Sequence, residues 1–149
     1  MKAQSIIKLA HLTSHFSRYE NPFLFRIVKK ILKWIYPIKK QKSQFQTIIT
    51  YDQGLINIDT GILGEYKLLF FGQCEPAITQ LIKRTVSPGD VCLDIGANIG
   101  ALTLIMAFAS GKKGRVFALE PHPGMRKRLQ ANIDLNRLEN IQVVPAALT

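Results

Sequence analysis

The sequence predicts an α/β fold in which a Rossmann-type parallel sheet of three strands fills the C-terminal half of a 149-residue chain, behind a basic amphipathic segment and short β segments. Three observations predict it. From Glu75 onward strands and helices alternate regularly. The strands read as near-continuous apolar runs, the pattern of a parallel sheet covered on both faces. The first of them, "VCLDI", leads directly into a glycine turn and an apolar helix, "GANIGALTLIMAFA". The reading divides the chain into a basic helical appendage (1–42), short β segments (43–73) and the α/β portion (74–149).

The appendage carries most of the net charge of +10. Residues 1–42 hold ten Lys/Arg against the single acid Glu20, a balance of +9 that leaves +1 for residues 43–149. The basic character is therefore local, and the expectation drawn from it is that nucleic acid is not a partner. In "NPFLFRIVKKILKWIYP", Asn21 suits a helix cap, Pro22 a first turn and Pro37 a stop. Arg26, Lys29, Lys30 and Lys33 share one stripe. Such a helix is well short of the ~20 apolar residues of a membrane span. Residues 22–36 are a candidate for peripheral contact with an anionic membrane surface, the alternative being a helix packed on the domain. His11 and His15 lie four apart but lack a third ligand, so no metal site is expected. Cys74 and Cys92 form no paired framework, which points to a reducing, cytoplasmic setting.

After Lys42, β-branched and aromatic residues predict strands around Thr47–Tyr51 and Leu55–Ile58, with a third candidate near Tyr66–Phe71. "EPAITQLIKRTV" reads as a helix with Ile78, Leu81 and Ile82 on one face, and "SPGD" turns the chain. Then come strand "VCLDI", the glycine turn, a helix over Ile99–Ala109, strand "RVFALE", helix "GMRKRLQANIDLNRL" and strand "IQVVPAAL". Right-handed crossovers place these three strands in the order 3-2-1, with a nucleoside site at their carboxyl ends.

Asp94 stands at the tip of the first strand. A carboxylate there repels a pyrophosphate by a few kcal/mol at ~4 Å and an effective dielectric near 20. The turn Gly96-Ala97-Asn98-Ile99-Gly100 also lacks the GxGxxG spacing of a dinucleotide site. S-adenosyl-L-methionine carries a sulfonium and an ammonium but no phosphate, and fits the charge. Gly96 permits a sharp turn beside the ligand, and Gly100 permits close packing. Glu120 ends the second strand, 26 residues after Asp94, where a carboxylate can accept both ribose hydroxyls. Pro121 and His122 follow where an adenine edge would lie, with His122 more a packing residue than a base. An NAD-binding Rossmann module and a non-catalytic membrane-associated fragment are the alternatives.

"DIGANIG", "EPHP" and "ANIDLN", with the upstream "CEPAITQLI", resemble the FkbM-type methyltransferases, a branch of the class I S-adenosylmethionine-dependent enzymes, over about residues 74–149. The resemblance implies methyl transfer to a hydroxyl of a small-molecule or glycan acceptor, such as a sugar or secondary metabolite. It implies that Asp94, Gly96, Asn98 and Gly100 line the methionine side of the cofactor and Glu120 the ribose, with Ala97 in the same turn. Asn132 and Asn136 match a helix pattern read as structural. The class I sheet resembles a seven-stranded order, 3-2-1-4-5-7-6, of which this sequence supplies the first three strands. The expectation is a truncated domain holding the cofactor-binding half, inactive alone and with no assignable catalytic base.

Overall fold

The computed structural model describes residues 45–62, 64–65, 68–69, 72 and 75–147. The expected basic helix at 22–36, His11, His15 and Cys74 lie outside them. Strands β1 (Gln46–Tyr51) and β2 (Gly54–Asp59) form a two-stranded sheet. The two-residue turn between them, Asp52 and Gln53, requires an antiparallel pair. Asp52 there takes a left-handed φ of 52°, a conformation Asp tolerates. Of the third expected strand the described residues Leu68 and Leu69 are helical and not extended, as are Gly64 and Glu65 before them. Leu68 and Leu69 are both buried, which does not match a strand with alternating faces. A short apolar run does not separate the two possibilities by periodicity.

Two compact units divide the described residues: one from 45–47 and the described part of 58–72, the other from 48–57 and 75–147. In the smaller unit, Thr60 and Phe45 bond reciprocally, with the Phe45 N–H on Thr60 Oγ1 at 3.1 Å and the Thr60 N–H on the Phe45 carbonyl at 3.0 Å. Glu65 is buried there, its Oε2 accepting the Asp59 N–H at 2.6 Å.

The larger unit contains α1 (Pro76–Thr85), β3 (Val91–Ile95), α2 (Ala101–Ser110), β4 (Arg115–Leu119), α3 (Pro123–Leu135) and β5 (Ile141–Val144). Helix α1 starts on a proline in its first turn and ends with Lys83 and Arg84, whose charge suits the negative pole of its dipole. Its buried residues are Thr79 and Ile82, whereas Ile78 and Leu81 are exposed. The buried face is thus rotated from the apolar one: Thr79 lies inside with its hydroxyl unbonded among the described residues, and two apolar side chains are left outside.

Strands β3, β4 and β5 are parallel, in that order, with β3 at an edge. In this register Asp94 pairs with Ala118 and Ile95 with Leu119. One face of the sheet carries Asp94, Val116 and Ala118, all buried, and Ala118 joins Ala97, Leu129 and Ile133 in a core cluster. The opposite face carries Val91, Leu93 and Ile95, all more than half exposed. The described residues therefore cover one face, not both, since the connections α2 and α3 account for only one layer of helices.

Candidate functional site

The carboxyl ends of β3 and β4 meet the turn 96–100. Gly96 adopts φ 77°, where a β-carbon would be strained by the backbone yet would meet no atom within 4 Å. Its conformation, and not crowding, selects glycine. The Gly96 and Ala97 N–H groups both donate to the Leu119 carbonyl at 2.9 Å, so the turn is strapped across the end of β4. Asn98 takes a positive φ of 52° and donates its N–H to Glu120 Oε2 at 2.9 Å. Gly100, at φ 93°, caps α2, and a β-carbon there would lie 2.5 Å from Leu129 Cδ1. The close packing that requires this glycine is therefore against helix α3.

Asp94 is buried and its Oδ2 accepts the Thr103 hydroxyl at 2.5 Å. Burial pushes its carboxyl above the usual carboxylate range, and hydrogen bonds from the Thr103 side chain and backbone N–H oppose that shift. Thr103 is the third residue of α2, so Asp94 also places negative charge at the positive end of that helix. The helix begins at Ala101, later than the expected Ile99, because Asn98 and Gly100 both hold positive φ.

Glu120 is buried beside it, its Oε1 accepting the His122 N–H at 2.8 Å while Oε2 holds Asn98. Each carboxylate oxygen has a second lone pair, so capacity for two hydroxyl donors remains. Pro121 and His122 are exposed. The His122 Nδ1 accepts the Met125 N–H at 3.3 Å and caps α3. Arg126 donates to the carbonyls of Glu120 at 3.0 Å and Pro121 at 2.5 Å, fixing the loop between strand and helix. The candidates Asp94, Gly96, Ala97, Asn98, Gly100, Glu120, Pro121 and His122 thus lie along one rim at the carboxyl ends of β3 and β4. Thr103, Arg126 and Asn132 were not among the site candidates. The signals were a hydroxyl within an otherwise apolar helix and an amide between Leu129 and Ile133 on a buried face.

Among the described residues no cluster of three or more His, Cys, Asp or Glu could hold a metal ion, and no helix is long and apolar enough to cross a membrane. Cys92 is free and half-buried, its thiol pushed up by burial and by the nearby Asp90.

A family model for the TRM5/TYW2 methyltransferase domain matches residues 67–147. A ribosomal protein L11 methyltransferase from Carboxydothermus hydrogenoformans is 32% identical over 93 residues, which are 60% of this chain and 28% of that protein. The chain thus spans about a quarter of the length of this curated relative. The structure of M. jannaschii TYW2 in complex with AdoMet is similar with a TM-score of 0.56 and 25% identity, over 72% of this chain and 46% of that one. Trm5b from Pyrococcus abyssi shares the fold with a TM-score of 0.52 at 22% identity, over 68% of this chain and 28% of the other. The chain belongs to the TRM5/TYW2 methyltransferase domain family, which is S-adenosylmethionine-dependent. The class I part of the sequence resemblance stands, while the matched family is TRM5/TYW2 and not FkbM. The expectation that nucleic acid is not a partner is overturned: the matched family is that of the tRNA methyltransferases TRM5 and TYW2, and the curated relative is a ribosomal protein methyltransferase.

Proposed function

We propose that this chain, as a member of the TRM5/TYW2 methyltransferase domain family, supplies the S-adenosylmethionine-binding portion of an enzyme that methylates nucleic acid. The observation that carries the reading is the pair of buried carboxylates, Asp94 and Glu120, at the tips of adjacent parallel strands around a turn with open space at Gly96. The residues fit the group: the turn offers no pyrophosphate cradle, and its charge favours a cationic ligand. When bound, the cofactor supplies a methyl group activated by its sulfonium. Asp94 would face the cationic methionine end, Glu120 would accept the ribose hydroxyls, and Gly96, Ala97, Asn98 and Gly100 would shape the wall between them. Pro121 and His122 would border the base. The work of these side chains is to bind and orient the donor, the larger part of catalysis for an in-line displacement.

An RNA acceptor gives the basic segment a role that its local character had obscured. Ten Lys/Arg against one acid in residues 1–42 suit a phosphate backbone, whose neutralisation dominates affinity and makes it salt-dependent. Sugar O-methylation has no support among the relatives.

Calorimetry tests the donor site. S-adenosylhomocysteine is expected to bind in preference to NAD, and Glu120→Ala to weaken it about tenfold, since charge-assisted hydrogen bonds contribute roughly 1.5–3 kcal/mol. Tight NAD binding without response to S-adenosylhomocysteine would overturn the assignment. For the acceptor, replacing Lys29, Lys30 and Lys33 by Gln should weaken binding to single-stranded RNA and reduce its salt slope by about 2, at ~0.7 per phosphate contact. Retained RNA affinity with lost binding to anionic vesicles would assign the same lysines to a membrane.

A further inference from the structure

Four contacts pin the turn 96–100, and three come from strand ends: the Leu119 carbonyl holds Gly96 and Ala97, and Glu120 holds Asn98. The fourth comes from a helix. Asn132 Nδ2 donates to the Ile99 carbonyl at 2.8 Å. The first helical bond of α2 runs from the Leu104 N–H to the Gly100 carbonyl, so the Ile99 carbonyl lies one residue outside the helix's own ladder and needs an external donor.

Asn132 is itself fully buried and held from its other side. Its Oδ1 accepts the Asn57 N–H at 2.8 Å, and Nδ2 also reaches the Asn57 carbonyl at 3.5 Å. These partners fix the amide's orientation, since the oxygen must face an N–H and the NH2 a carbonyl. One turn later Asn136 treats Leu55 in the same way, accepting its N–H at 2.7 Å and donating to its carbonyl at 2.6 Å. In a hairpin with a two-residue turn, Leu55 and Asn57 lie two apart on one strand and direct their backbone groups away from β1. The two asparagines therefore stand in for a third strand along the free edge of β2. Only Asn132 also touches the turn.

We propose that Asn132 is a positioning residue for the methyl-donor turn, holding the Ile99 carbonyl while the edge of β2 holds Asn132. The inference rests on the reading of that turn as the donor site, and Asn136 is its internal control. Without the Asn132 amide, the carbonyl of Ile99 is left to turn toward solvent, and the backbone between Asn98 and Gly100 loses its anchor on the side facing α3. Loss of Asn136 frees the same hairpin and the Asn132 carbonyl, to which its Nδ2 donates at 2.7 Å, but leaves the bond from the Asn132 side chain to Ile99 in place.

The test uses the 149-residue chain with Asn132→Ala, Asn132→Asp and Asn136→Ala, each read by hydrogen exchange of segment 96–104 without ligand and by calorimetric affinity for S-adenosylhomocysteine. Asn132→Ala is expected to speed exchange in 96–104 and weaken the ligand, each about tenfold. Asn136→Ala is expected to lower Tm and leave both readouts within about twofold of wild type. Asn132→Asp retains an acceptor for Asn57 but offers Ile99 a donor only when protonated. Its affinity, relative to wild type at the same pH, should be depressed at pH 8 and recover at pH 5. Around it, α2 carries no ionisable side chain and β2 only Asp59, while the one-turn neighbours on α3 are Arg128 and Asn136. Equal effects of Asn132→Ala and Asn136→Ala on segment 96–104, or an Asn132→Asp profile parallel to wild type, would overturn the proposal. If Asn132→Ala does not fold, the aspartate profile and the Asn136 control decide it. If wild type binds no S-adenosylhomocysteine, the donor-site reading fails, and the exchange measurements still decide whether Asn132 holds the turn.

Discussion

The two faces of β3 invert the usual relation between polarity and burial. On one side Asp94 is 7% exposed; on the other, Val91, Leu93 and Ile95 are 70%, 55% and 51% exposed. Partners account for the difference. The buried face has α2 against it, and Thr103 satisfies the acid. The apolar face has no covering element among the described residues. Burial follows what an element can pack against, and a buried polar group is stable where its bonds are made.

A large expected effect breaks the buried side where α3 meets the turn. Gly100→Ala meets both a φ of 93° and Leu129 Cδ1 at 2.5 Å, so a backbone cost of ~1–3 kcal/mol adds to an overpacking cost of similar size. Gly96→Ala meets only the backbone cost, because space is open there. Denaturant titration should give Gly100→Ala the greater loss, about 2–6 kcal/mol against roughly 1–3. Equal losses would mean that α3 does not press on the turn.

A smaller effect concerns Asp94. Burial raises its carboxyl above the unfolded value of about 3.9. Between these two values the native state binds more protons than the unfolded one, so stability falls as pH rises through that window. At neutral pH the ionised acid is a net cost. Asp94→Asn keeps an acceptor for Thr103 and should raise Tm at pH 7 while leaving it nearly unchanged at pH 3. The same substitution should weaken S-adenosylmethionine about tenfold if the charge serves its cationic end. A lower Tm at pH 7 would show that the Thr103 bonds outweigh desolvation.

The C-terminal half was legible because each element carries its own local signal. Apolar strands and the Gly96–Gly100 turn gave the alternation, and right-handed crossovers gave the 3-2-1 order. The rim residues followed, since position at a strand's carboxyl end depends on topology alone. What was not legible depended on tertiary partners. The inner face of α1 lies on Thr79 and Ile82, because hydropathy ranks Leu81 above a threonine whose surroundings the sequence does not show. The helical residues near Leu68 sit in a run too short for periodicity to separate helix from strand. Asn132 and Asn136 read as a structural pattern, but their backbone partners lie 75 and 81 residues away in β2.

The smallest effect sharpens the contrast across β3. Leu93 and Asp94 are adjacent but face opposite sides, and Ala118, beside Asp94 in the register, is fully buried. An exposed apolar edge strand is a template for pairing with other chains, and lysine is a usual protection. Leu93→Lys should change unfolding free energy by no more than about 0.5 kcal/mol, as for an exposed site, while Ala118→Lys should prevent folding by burying an unpaired charge. Sedimentation velocity should show less concentration-dependent association for Leu93→Lys than for wild type. A loss of folding in Leu93→Lys comparable with that of Ala118→Lys would mean that this face is covered in solution. Its apolar side chains would then belong to a second core and not to an open surface.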